Sequence, residues 1–407
     1  MQKKLLTMAV AGALAVPGLA LAQSSVEVYG TINMSFGNVK FTEPTSGVGG
    51  SVSKWDVANH ASNYGIRGRE SLGAGLTAWF QIEQNAPLER SNNVAITPAS
   101  RNSAVGMQGA WGNVFIGQWT TPWADLDGLW SIGTVGGWGP VTSIIGRRET
   151  TGSAPSRNCA NGHLSPAAGI CDAVEAGGGV GHAFWRRASQ SVFYQSPVFG
   201  GAQAKFAYQT NDMKATTGVP EDPSLWSASI QWSGMGGRLR IGGAYDSHKD
   251  FSAVGQKDTG FAIKGGWNFG FADVGLAYED VTYKTAAGDC KSKNYGIALA
   301  VPVGSGAIRA SYSQADDLDE AGCGPVGTAI SPAGSTVGNN GAKQWNIGYD
   351  HRFSKRTTVG VGYATIDNDP AGAHNWTGLP PRQDGATNAP AAGSDVKTFF
   401  VNMIHRF

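Results

Sequence analysis

The side chains of this 407-residue chain that could do chemistry are few, and their spacing points away from catalysis. The seven histidines are scattered and show neither H-x-x-E-H nor H-E-x-x-H spacing, the pattern that sets two imidazoles on one helix face around zinc. The four cysteines, Cys159, Cys171, Cys290 and Cys323, contain no C-x-x-C pair, which argues against a thiolate metal site. No metal and no cofactor are therefore expected. What remains is a set of charges: Arg67, Arg69 and Glu83, then Arg101, Asp125, Asp127 and Arg187. In a strand, residues two apart share a face. That places Asn63, Arg67 and Arg69 opposite Tyr64 and Ile66, and Thr77, Gln81 and Glu83 opposite Leu76, Ala78, Phe80 and Ile82. Such a wall has a polar medium on one side and an apolar one on the other. Alternation turns Arg187 to the polar side as well. Strict parity sets Arg101 with Val105 and Met107, and a bulge near the rim would re-aim it.

The elements that position these charges are short alternating segments. Residues 1–22 read as a cleaved secretory leader: Lys3 and Lys4, an apolar run to Leu21, and Ala20-Leu21-Ala22 as a small-x-small site. The mature unit is then 23–407. It holds no second apolar run of 18 residues, so no membrane-spanning helix is expected. Strands are read at 26–34, 62–70, 76–83, 101–109, 114–119 and 189–196. Ten more centre on Phe206, Ile230, Ile241, Ile263, Leu276, Ile297, Ile308, Ile347, Val361 and Val401. The count is sixteen, even as a closed single-chain barrel requires. Connections alternate between tight Gly- or Pro-rich turns and long polar loops, the longest at 120–188. A structureless stretch of that length within one domain implies a function, and in a barrel it can fold into the lumen. The last segment, DVKTFFVNMIHRF, sets Phe399, Val401, Met403, His405 and Phe407 on one face, with an aromatic terminus suited to a membrane interface.

Composition agrees with this reading. Apolar residues make up 41% and mean hydropathy is −0.19, too low for a helical membrane protein but compatible with a barrel whose inner face is polar. Glycine, 59 residues, is about twice the usual ~7%. Thirteen Trp, 11 Tyr and 16 Phe can supply two interfacial girdles. The 31 basic side chains less Lys3 and Lys4 leave 29 against 30 acidic ones, without the basic excess of a nucleic-acid partner.

Five segments then resemble the general porins of Gram-negative β-proteobacteria: SSVEVYG, SNYGIRGRESLGAGLTAWFQIE, RNSAVGMQGAWGNVFIGQ, SVFYQSPVFGG and YDHRFSKRT, together with the closing H-x-F. Their order and spacing agree with that family from end to end. The resemblance implies an all-β, 16-stranded antiparallel transmembrane barrel in the outer membrane, whose long third external loop, 120–188, folds inward as a constriction. It implies a water-filled path for passive diffusion of ions and small hydrophilic solutes, with no enzymatic role. The partners it implies are a homotrimer, outer-membrane lipid and lipopolysaccharide. By match, Arg67, Arg101 and Arg187, with Glu83 nearby, stand on the wall facing that loop, which carries Asp125 and Asp127. Asn63 and Gln118 stand where the family often has Arg, so at most a weak anion preference is expected. The plainer reading of the same arginines is ordinary lumen polarity. The alternative from another class is an outer-membrane barrel enzyme of protease or phospholipase type, for which no motif is present. Export to an oxidising compartment makes disulfides the default. Of the three pairings four cysteines allow, Cys159–Cys171 within the long loop and Cys290–Cys323 between neighbouring loops are favoured, all four being expected in external loops.

Overall fold

The computed structural model describes residues 25–45, 47, 50–89, 98–140, 142, 144–145, 184–210, 224–251, 255–285, 288–318, 339–376 and 392–407. The leader 1–22 lies outside them. So do Cys159, Cys171, Cys323 and most of the long loop's charges.

Among the described residues, seventeen strand segments occupy sixteen positions. They are β1 (Ser25–Phe41), β2 in two pieces (Val52–Asn59 and Asn63–Gly73), β3 (Leu76–Asn85), β4 (Ser103–Gly109), β5 (Gly112–Thr120), β6 (Arg187–Gln195), β7 (Ala202–Gln209) and β8 (Ser224–Gly234). Then come β9 (Leu239–Lys249), β10 (Lys257–Asn268), β11 (Asp273–Thr285), β12 (Gly288–Val303), β13 (Gly306–Ala315), β14 (Ala342–Arg352), β15 (Thr357–Asn368) and β16 (Val396–Arg406). Both pieces of β2 pair with β1, so they form one strand. Its break at 60–62 turns on Ala61, whose φ of 54° lies in the left-handed region. The orphaned backbone there is satisfied locally: His60 N donates to Asn33 O at 2.9 Å, and Asn33 N donates to Ser62 Oγ at 2.8 Å.

Every neighbouring pair is antiparallel, and β1 closes the ring against β16 from Thr31↔Arg406 to Phe41↔Val396. Gly30 and Phe407 add a reciprocal pair of backbone bonds, 3.1 Å each, so the terminal residue joins the first strand. Closure matters physically: in lipid every backbone N–H and C=O must be paired within the protein, which an open sheet edge cannot do. Alternation holds round the ring. Phe399, Val401 and Met403, with Val105, Ile116, Ile230, Ile263 and Leu276, are exposed outward, as a lipid-facing belt requires.

Two sequence expectations change. The first strand does not stop at Met34 but runs on to Phe41, and Val52–Asn59 is strand rather than loop. Beyond Phe36 the hydrophobic phase reverses: Val39 and Phe41 are buried inward, while Lys40 is exposed on the other face. Asn38 and Lys40 leave the outer side of β1 without an apolar row there, so an apolar-outward template stops short of it; Val52–Asn59 does keep Trp55 and Val57 exposed outward, in two positions only. Likewise Cys290 is not in a loop. It lies in β12, opposite Tyr283 of β11, in a hairpin that continues to Thr285↔Gly288.

Candidate functional site

Residues 121–140 lie inside the barrel. The chain leaves β5 through one helical turn, α1 (Pro122–Asp125). Its N-cap is Thr121, whose Oγ1 accepts from Ala124 N at 3.4 Å, and proline follows at the first position. A 3-10 turn, Leu126–Leu129, continues it. Trp123 N donates to Ser227 Oγ of β8 at 3.2 Å. Beyond that the segment sweeps along the lumenal face from β8 round to β1. Leu126 and Leu129 meet Gly242 of β9, Trp130 meets β11 and β12, Val135 meets β14 and β15, and Trp138 meets Phe400 of β16 and Gly37 of β1.

This approach is close enough to dictate residue type. A Cβ added at Gly275 would collide with the Trp130 carbonyl, and one at Gly296 with the Trp130 indole. Trp123, Leu126, Trp130 and Trp138 are fully buried, aromatic rings burying on the order of 150–250 Å² each. The backbone of the segment is satisfied by the wall. Arg240 Nε donates to Leu129 O at 3.2 Å, Arg309 Nη1 to Ile132 O at 2.5 Å, Asn346 Nδ2 to Gly139 O at 3.0 Å and Gln344 Nε2 to Pro140 O at 2.8 Å. Both arginines are held by carboxylates, Arg240 by Asp273 at 2.8 Å and Arg309 by Asp350 at 3.0 Å.

The loop acids expected at the constriction have wall partners. Asp125 Oδ2 accepts from Lys205 Nζ of β7 at 2.8 Å. Asp127 Oδ1 accepts from Lys264 Nζ of β10 at 2.6 Å, and the same ammonium pairs with Glu279 of β11 at 2.7 Å. Lys264 is 1% exposed and Glu279 0%, so this is a buried charge triad. Two carboxylates around one ammonium offset its desolvation, and Asn294 Nδ2 adds a bond to Glu279 Oε2 at 3.2 Å. Asp127 also accepts from the Trp130 indole N–H at 3.1 Å.

The arc from β2 to β7 has a different lining. Arg67 faces inward and makes a bidentate pair with Glu27 of β1, 3.0 Å on both arms, with half of each side chain still in solvent. Arg101 Nε donates to Glu83 Oε1 at 2.7 Å and Nη1 to Asn85 Oδ1 at 3.1 Å, and Tyr29 Oη donates to Glu83 Oε2 at 3.0 Å. No bulge re-aims Arg101: β4 begins at Ser103, so strand parity does not reach it. Alternation does not carry through to Arg187 either. Gln190, with φ of 51°, sits where the register between β5 and β6 shifts. The shift sets Ala188 opposite inward Trp119 and Arg187 opposite Thr120, and Arg187 Nε donates to Asn102 Oδ1 at 2.9 Å. The structure thus brings Arg67, Glu83 and Arg101 onto one arc, sets Asp127 against the other, and leaves Asp125 at the boundary, on Lys205 of β7.

Lys205, Lys264, Arg240, Arg309 and Glu279 were not singled out by sequence. The signal that could have found them is the glycine excess: inward Gly242, Gly275, Gly296, Gly348 and Gly360 mark where the loop rests. Cys290 is buried and disulfide-bonded, and the other three cysteines lie outside the described residues.

Comparison with known proteins agrees with this architecture. A family model described as "Gram-negative porin" matches residues 7–371. The chain is 26% identical over 385 residues to outer membrane porin protein 32 of Delftia acidovorans, covering 91% of each. It is 24% identical to an outer membrane porin protein of Bordetella pertussis, covering 88% of this chain and 92% of the other. Among solved structures, the anion-selective porin from Comamonas acidovorans superposes with TM-score 0.68 at 22% identity, over 95% of this chain and 100% of that one. The trimer form of OmpT, an outer membrane protein of Vibrio cholerae, gives 0.60 at 14%, over 94% and 99%. With the family model matched along most of its length and a closed sixteen-stranded barrel beneath it, the chain belongs to the Gram-negative porins and forms a channel in the outer membrane.

Proposed function

We propose that this porin passes ions and small hydrophilic solutes by passive diffusion with a weak anion preference, set by the arc from β2 to β4 rather than by the loop. The observation that carries the reading is the pairing of charges. Asp125 and Asp127 are engaged by Lys205 and Lys264, so little of their charge is offered to passing ions. Arg67, paired yet half exposed, and Arg69 remain on the solvated wall. Focused between low-dielectric walls, even a small positive excess biases ion passage. Because Glu27 and Glu83 neutralise two of the arginines, the bias is weak. The name of the Comamonas relative, an anion-selective porin, supports the sign. We read the working unit as a homotrimer embedded in outer-membrane lipid and lipopolysaccharide, a reading supported by the trimer form of the Vibrio structure.

Reversal potentials in a salt gradient test this. Arg67→Ala with Arg69→Ala moves the potential toward cations, most at low salt where screening is weakest. Asp125→Asn moves it far less. A larger shift from Asp125→Asn than from the arginine pair contradicts the assignment.

A further inference from the structure

The arc from β2 to β7 carries more apolar surface than ion passage requires. Trp79, Phe115, Trp119 and Phe193 form one aromatic cluster on its lumenal side. Ring centroids lie 5.3 Å apart for Trp79–Phe115, 5.8 Å for Trp79–Trp119 and 5.3 Å for Phe115–Trp119. Phe115 stacks on Phe193 at 4.8 Å with 5° between the planes. The two phenylalanines are buried beneath, whereas the two indoles are only part-buried and line a recess of about 500 Å³, within the range of small-molecule sites. Apolar surface facing water is unfavourable unless something covers it. Trp79 is also held in place. It lies across Gly106, where a Cβ would stand 2.7 Å from its Cε2 and Nε1, and its N–H donates to Asn113 Oδ1 at 2.8 Å.

Arg69 is the direct cross-strand partner of Trp79, so the two side chains stand together on one face. Among the described residues it makes no ion pair or hydrogen bond. Arg67, Gln108, Asn113, Gln195 and Ser196 share the polar lining with two further amides, Gln81 and Gln203. We propose that this recess is a transit-binding subsite for small aromatic carboxylates. The ring lies against Trp79 and Trp119, the carboxylate pairs with Arg69, and the two amides bond to ring substituents. A neutral sugar would leave Arg69 unmatched, and an aliphatic acid would leave the indoles facing water. The nearby carboxylate of Glu27 is taken up by Arg67.

The subsite rests on the open-channel reading, and its test is separate from selectivity. Sodium benzoate, sodium acetate and benzyl alcohol are each titrated against the ion current of wild-type channels in planar bilayers. Benzoate blocks saturably, and acetate needs about tenfold more for the same effect. Trp79→Ala raises the half-blocking benzoate concentration about tenfold, and Trp79→Phe much less. Arg69→Gln weakens benzoate while leaving benzyl alcohol unchanged. Should Trp79→Ala yield no channels, Gly106→Ala, which displaces the indole, replaces it. Equal block by benzoate and acetate, or block indifferent to both Trp79 and Arg69, overturns the subsite. A channel with no anion preference that still shows the Trp79-dependent block overturns only the selectivity reading.

Discussion

The wall from β8 round to β1 and the wall from β2 to β7 are built from the same alternating strands, yet they present opposite inner surfaces. The first is scalloped by glycines and alanines, into which residues 121–140 set Trp123, Trp130 and Trp138. Its charges, Lys264, Arg240 and Arg309, are spent on holding the loop. Among the described residues the second meets that segment only at its β7 edge, where Lys205 takes Asp125, and it displays Arg67, Arg69, Trp79 and Arg101. An inward residue in this barrel thus has one of two tasks. Where the loop lies, small size and buried pairing matter. Where it does not, the side chain itself meets the solute.

The comparison can be broken from either side. The largest effect is expected at Lys264. Lys264→Met leaves Asp127 and Glu279 buried beside an apolar chain, a loss of about 3–5 kcal/mol for an orphaned buried charge. The loop should leave the wall, giving noisy single-channel traces and a lower unfolding midpoint. Adding Asp127→Leu and Glu279→Met should restore much of the stability, and its failure to do so would mean that Lys264 acts otherwise. Next is Gly275→Val, which overpacks the Trp130 contact by about 1–3 kcal/mol. Current noise should rise while the barrel still migrates as a folded species on unheated gels. Deleting Phe407 tests closure rather than lining: it removes the bonds to Gly30 and should lower the yield of folded channel. Reduction has the smallest expected effect. Cys290 is disulfide-bonded in the β11–β12 hairpin, and the barrel's closed ladder does not depend on it, so reduced protein should keep its barrel and show only noisier traces.

Much of the wall was legible because lipid and water impose a period of two: sixteen strand positions were found, as were inward Arg67 and Glu83. The upper half of β1 was not, because the apolar row changes face between Phe36 and Val39, nor was Val52–Asn59, where only Trp55 and Val57 keep the outward alternation. Arg187 was misplaced because a single left-handed residue, Gln190, inverts parity, and alternation alone cannot show where that happens. The partners of Asp125 and Asp127 were not found because they come from β7, β10 and β11, far along the chain. Composition registered the glycine excess, but only the fold shows that it marks the path of the loop.

The central claim is that solutes travel along the arc from β2 to β7 while the loop seals the opposite arc. Single cysteines at Gln81 and at Ala298, a fully buried residue of β12 behind Gly133, separate the two surfaces. In unreduced protein a charged, water-soluble thiol reagent is added to open channels carrying Gln81→Cys or Ala298→Cys. The account predicts a stepwise fall in conductance for Gln81→Cys and none for Ala298→Cys. Equal modification of both, or modification of Ala298→Cys alone, would contradict it.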